Sequence, residues 1–179
     1  MRRIIPIISC IVLLATGCQT SKNTQKKPSP YERPEIAEVG QKQLELDNML
    51  IEARTYQEVG NIPMAMQMYR KLTATDAECD AACYGIGALM LSQGMTDSAL
   101  YYVTKAKEIS PENIWYRVKA TEILKAMNNV NGLISEWEQL IELKPDVLDY
   151  YYELSNAYIM NEDLEEAIAV LNRVRRNTG

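Results

Sequence analysis

The sequence predicts an all-α chain in which antiparallel helix pairs stack in series. Three observations predict this. From about Asp47 onward the chain repeats itself with a period of 34 residues. Within each period a small residue and large apolar residues hold fixed columns on either side of a turn-compatible residue. Pro111 and Pro145 close two of the copies, where a helix cannot continue.

The elements are taken in chain order. Residues 1–17 read as a signal peptide. Arg2 and Arg3 form a positive start, and residues 4–14 are an almost uninterrupted apolar run. That run is too short to span a bilayer, which needs roughly 20 apolar residues. Leu14-Ala15-Thr16-Gly17-Cys18 follows and resembles the lipobox of bacterial lipoproteins, although Ala15 stands where a bulkier aliphatic is commoner. The resemblance implies that residues 1–17 are removed and Cys18 is acylated. The alternative is an ordinary secretory leader with an incidental cysteine. Several acyl chains anchor far more firmly than one, since each buried CH₂ adds about 0.8 kcal/mol. Gln19 follows the cysteine, where proteins of this kind often carry Asp when retained at the inner membrane. The outer membrane, facing the periplasm, is therefore the expected location.

Residues 18–34 hold the lipidation cysteine and a tether. From Gln19 to Pro34 the side chains are mostly Ser, Thr, Lys, Gln, Asn and Pro, which cannot bury apolar surface. A coil of about 16 residues reaches roughly 20–25 Å, enough to hold a domain off a lipid surface.

The repeat array is expected over residues 35–179, with copies at about 46–79, 80–113, 114–147 and 148–179. Helix pairs are expected at 47–59 with 63–74, 80–92 with 96–108, 114–127 with 130–142, and 148–160 with 164–176. Residues 35–46 are also helix-compatible, so the first helix can begin early. Small residues align at Ala53, Gly87, Thr121 and Ser155, and large apolar ones at Tyr56, Met90, Leu124 and Tyr158. Turn-compatible residues stand at Gly60, Gly94 and Asn128, with Asn161 one place early in the fourth copy. Next come Ala65, Ala99, Leu133 and Ala167, then the bulky Tyr69, Val103, Trp137 and Leu171. Two helices approach closely only where one side is small, which accounts for Gly87 against the Ala99-type positions. Gly60 and Gly94 supply positive φ at a helix end. Leu133 replaces the small alanine and Arg117 stands where an apolar residue is usual, so the third copy is expected to pack less tightly.

These columns resemble the tetratricopeptide repeat over about three-quarters of the chain. The resemblance implies a right-handed superhelix of about four units whose concave groove is lined by the first helix of each pair. It also implies stability shared between neighbours, and a final helix that covers the last pair. Here the fourth copy closes at Gly179, so Leu164, Ile168 and Leu171 are expected to expose apolar surface. Either the sequence is a fragment of a longer protein or a partner covers that end.

Carried over by column, the groove candidates are Arg54, Tyr84, Trp115, Lys119, Glu122, Tyr152 and Asn156, with Asp47, Leu50, Ala88 and Asp149 beside them. Trp115 with Tyr84 and Tyr152 would make an apolar floor, and aromatics and Arg are the usual hot-spot types. Arg54, Lys119 and Asn156 would hold a peptide backbone or carboxylate by charge-assisted hydrogen bonds. The alternative is that Trp115 and Tyr152 pack between neighbouring repeats. One subset of this family grips C-terminal carboxylates at columns that hold Leu50, Arg54, Gly85, Trp115 and Lys119 here. Only Lys119 keeps the charge type, so that clamp is not expected.

Other motifs are weaker. Cys79 and Cys83 are four apart, an uncommon disulfide spacing, and two thiols alone make a poor metal site. Cys83 as a small core residue is the simpler reading. In Tyr150-Tyr151-Tyr152 successive side chains point about 100° apart, so Tyr151 is expected in the core and Tyr152 in the groove. Glu162, Asp163, Glu165 and Glu166 read as the acidic start of the last helix, which the helix dipole favours.

Composition limits function. The chain has no histidine, so a Ser-His-Asp triad, a Cys-His pair and a His-Glu-x-x-His zinc site are impossible. There are 19 Lys and Arg against 24 Asp and Glu, and losing Arg2 and Arg3 with the leader leaves 17 against 24. That balance gives no basic face for duplex DNA. No catalytic residues, cofactor or metal are expected. The expected function is a membrane-anchored, non-enzymatic scaffold or adaptor in the bacterial envelope. Its partners would be an as yet unidentified envelope protein or peptide and the membrane, through the N-terminal lipid, with no nucleic acid. The alternatives are a glycan- or small-ligand-binding envelope lipoprotein and the N-terminal part of a longer array.

Overall fold

The computed structural model describes residues 34–177, with side chains from Val39 to Arg175. The signal peptide, Cys18 and most of the tether expected from the sequence lie outside the described residues. Within them the chain is helical throughout: α1 (Pro34–Glu58), α2 (Ile62–Thr75), α3 (Asp80–Ser92), α4 (Thr96–Ile109), α5 (Ile114–Ala126), α6 (Val130–Leu143), α7 (Leu148–Met160) and α8 (Leu164–Asn177). α1 begins at Pro34, so the helix-compatible stretch before residue 47 is part of it. No helix among the described residues is long and apolar enough to cross a membrane.

Local chemistry sets the helix boundaries. Asn61, Asn113 and Asn129 cap α2, α5 and α6, their side-chain oxygens accepting from the backbone N–H of Met64, Trp115 and Gly132. Pro63 sits in the first turn of α2, where its missing N–H costs nothing. Between the helices of each pair one residue takes positive φ: Gly60 (+75°), Gly94 (+74°), Asn128 (+54°) and Glu162 (+64°). The fourth copy therefore keeps the repeat's register. Glu162, rather than Asn161, makes the left-handed turn. Asn161 instead donates from its side-chain amide to Asp163.

Each helix packs on its neighbour in sequence, and α1 with α3 and α3 with α5 also touch, so the pairs stack in order. The result is an all-α superhelix of antiparallel pairs. The small columns do their work through space. A Cβ at Gly87 would lie 2.6 Å from Val103 Cγ2 and 3.1 Å from the Ala99 carbonyl oxygen, so α3 and α4 meet backbone to backbone. A Cβ at Gly85 would run into the Tyr69 ring, which is how α3 seats on α2 of the preceding pair. One core runs through the first two pairs, from Ala53 to Ala99 and Val103, and reaches Ala120 and Ile123 of α5. A second, from Leu124 to Val174, joins the last two pairs.

The third pair accommodates its unusual residues in a specific way. Leu133 is buried, and a Cβ on Gly132 next to it would lie 2.7 Å from Leu124 Cδ2, so the glycine provides the room. Arg117 is largely buried and pairs with Glu136 of α6 at 3.2 Å, while Lys107 of α4 reaches the other Glu136 oxygen. Arg117 also donates to the Gln139 side chain. A misfit remains: Arg117 Nε and Trp137 Nε1 are buried without a hydrogen-bond partner.

Candidate functional site

The first helices α1, α3, α5 and α7 carry every groove residue expected from the sequence. Arg54, Glu122 and Asn156 occupy one repeating column and all three are exposed. Tyr84 and Tyr152 occupy another. Trp115 is 67% exposed and Tyr152 is 50% exposed, so neither is consumed by packing between repeats. Tyr84 is half-buried and stacks on Tyr116 with ring centroids 5.2 Å apart. That ring contact joins α3 to α5.

The polar members are not equally available. Lys119 and Glu122 form a salt bridge with each other, one turn apart on α5. An exposed pair of this kind is worth at most about 1 kcal/mol, so a ligand carboxylate can displace Glu122 at small cost. Arg54 lies on α1, two pairs away from Trp115. The two exposed aromatics therefore stand on α5 and α7, with Arg54 on α1. In the Tyr150–Tyr152 run, Tyr151 is 2% exposed in the core, and Tyr150 lies against Trp137 at 5.6 Å.

Beneath the row is a polar network that sequence reasoning missed. Asp80, at the start of α3, accepts from Ser110 Oγ at 2.6 Å and from the Tyr116 hydroxyl at 3.0 Å through one oxygen. Its other oxygen accepts from the Ala81 N–H at 2.6 Å. The network ties α3 to the α4–α5 turn and to α5, fixing the angle at which Trp115 is presented. Burial pushes the Tyr116 phenol up to about 12, helped by the hydrogen bond to Asp80 and its negative charge. The partners are 30 and 36 residues apart in sequence, so no local motif announces them.

The cysteines offer little reactivity. Cys79 and Cys83 are free, Cys83 is fully buried, and burial pushes both thiols up from their ordinary value. A high pKa leaves little thiolate at neutral pH. Among the described residues no group of three or more Cys, Asp or Glu side chains is placed to hold a metal ion. The acidic residues Glu165 and Glu166 stand in the first turn of α8, where the dipole favours them.

Comparison with known proteins bears on the helix pairs directly. Residues 148–174, which span α7 and most of α8, match the family described as tetratricopeptide repeat. The chain contains a tetratricopeptide repeat. No curated protein matches the sequence. Among solved structures, MamA is similar with a TM-score of 0.64 and 18% identity, over 74% of this chain and 80% of that one. MamA from Desulfovibrio magneticus RS-1 (residues 41 to the end) gives 0.61 and 14% identity, over 73% of this chain and 74% of that one. A chain in the structure of Naa15/Naa10 bound to HypK-THB gives 0.64 and 18% identity, over 80% of this chain but 22% of that one. At these identities the likeness establishes the fold, an all-α helical repeat superhelix. Trp115 and Tyr152 thus stand on the first helices of the third pair and of the tetratricopeptide pair α7–α8.

Proposed function

We propose that this chain is a non-enzymatic scaffold of the bacterial envelope, lipid-anchored through Cys18. It holds a protein or peptide partner along the row of first helices. The observation that carries the reading is the exposure of Trp115 and Tyr152 on successive first helices. Large aromatics left in water by a fold that buries Tyr69, Tyr116, Tyr151 and Trp137 are the residues a partner would cover. Around them Lys119, Glu122 and Asn156 offer donors and acceptors for an extended backbone. A chain of similar fold occurs in the structure of Naa15/Naa10 bound to HypK-THB, which fits a role in holding other proteins.

In-cell crosslinking followed by mass spectrometry tests the groove, run on the tagged protein and on a Trp115→Ala, Tyr152→Ala double variant. Both side chains are exposed, so the variant should fold. One envelope protein captured by the parent and lost from the variant supports the reading. The same capture by both removes the row of first helices as the binding surface. The anchor is tested separately by metabolic labelling with a radioactive fatty acid. Label should enter the parent and not Cys18→Ser, and an unlabelled parent would remove the anchor.

A second reading rests on the same aromatics, since exposed Trp and Tyr also stack on sugars. Trp137 is buried, so a change in tryptophan emission on adding oligosaccharide would report chiefly on Trp115.

A further inference from the structure

The two ends of the helix stack differ in chemistry. On α1, Glu52 and Thr55 are exposed. At the Glu52 column the later first helices carry Ile86, Ala120 and Leu154, all buried. Asn48 is also exposed on this face, beside the exposed apolar residues Leu44 and Ile51.

The outer face of α8 instead keeps apolar residues in the columns that the earlier pairs pack against a neighbour. Ile168 holds the column of Leu100 and Ile134. Leu100 packs into the cores on both sides of it and Ile134 into the core it shares with α7. Leu171 holds the column of Trp137, whose ring lies 5.6 Å from Tyr150 of the next pair. In α8 these columns are open: Ile168 is 61% exposed, Leu171 39% and Leu164 59%. Arg175 holds the column of Lys107, the cation that reaches Glu136 of the next pair. α8 therefore keeps the apolar seam and the cationic reach that α4 uses to seat its neighbour.

We propose that this face binds α8 of a second copy of the chain, antiparallel and about a two-fold axis. The charges choose this occupant. Exposed Glu165 lies at the start of the helix and exposed Arg175 at its end. Antiparallel pairing sets Glu165 of each copy against Arg175 of the other, whereas parallel pairing sets like against like. Leu164, Ile168 and Leu171 are spaced i, i+4, i+7, the narrow stripe of a two-helix seam. Stacking α8 on α1 of another copy would instead press Ile168 against Glu52 and Thr55, burying polar groups without partners. The contact therefore closes as a dimer and does not propagate as a filament. One helix of 14 residues per copy, about 21 Å long, makes an interface at the small end of the usual range, so association is weak and concentration-dependent.

The test uses the full chain in two differently tagged versions expressed together. Parent copies should co-purify. Glu165→Arg with itself, and Arg175→Glu with itself, should co-purify about tenfold less, because each puts like charges together twice. Glu165→Arg mixed with Arg175→Glu should recover the parent level, since opposite charges then meet again. Helix content measured on each variant shows that these exposed changes leave the fold intact. Failure of parent copies to co-purify, indifference to the single swaps, or no recovery in the mixture would each overturn the proposal. The Trp115→Ala, Tyr152→Ala variant should dimerise normally, which separates this face from the groove.

Discussion

Glu162 takes φ +64° where two earlier copies have glycine and the third has asparagine. A left-handed conformation costs a residue with a Cβ roughly 1–2 kcal/mol. Glu162→Gly should therefore raise stability by about 1 kcal/mol in urea or thermal unfolding, after the extra freedom glycine gives the unfolded chain. A loss of stability would mean that the Glu162 side chain contributes something the turn geometry hides. Tyr116 makes a second prediction at this scale. Its phenol is held near 12 in the fold against about 10 unfolded, so the protonated form is favoured by folding. The stability it contributes is complete below pH ~10 and is lost as pH rises through ~12. Stability of the parent should fall across that alkaline window, and Tyr116→Phe should flatten the fall. The Tyr158 phenol is also pushed up to about 12, by burial and its hydrogen bond to Glu138, so part of the fall should remain.

Among the elements, α4, α5 and α6 meet at Glu136, which takes Lys107 on one oxygen and Arg117 on the other. Removing one member of a buried ion cluster leaves its partners desolvated and unpaired, which typically costs 3–5 kcal/mol. Glu136→Gln keeps the volume and should destabilise the protein by about 3 kcal/mol. A loss under ~1 kcal/mol would show that water reaches the two cations. The cluster also explains why sequence reasoning went only part of the way here. Arg117 is visible as a misfit in an apolar column, but its counter-charge lies 19 residues on and the second cation 29 residues before that charge. Only the helix stack brings them together. The capping asparagines, by contrast, act within three residues of themselves and are legible from order alone.

For the whole molecule, each pair is stabilised by its neighbours, so stability should be graded along the stack. α3 to α6 are covered on both sides, whereas the first turns of α1 stand clear, with Val39 70% and Leu44 60% exposed. Native-state hydrogen exchange should be slowest in α3–α6 and fastest in residues 34–46. Slow exchange across 34–46 would mean that those turns are covered in solution. If the α8 face dimerises as proposed, protection in α8 should rise with protein concentration while that in α1 stays constant.

The repeat, its helix pairs, three of the four turns within the pairs and the small columns where helices touch were determined by the sequence alone. Each depends on residues a few places apart, or on the same residue recurring at one period. The tertiary structure decided which aromatics stay in water, how Arg117 finds its partners, how Asp80 gathers Ser110 and Tyr116, and that Glu162 rather than Asn161 makes the fourth turn. Those outcomes depend on which helices become neighbours and at what angle, and that is a property of the packed stack.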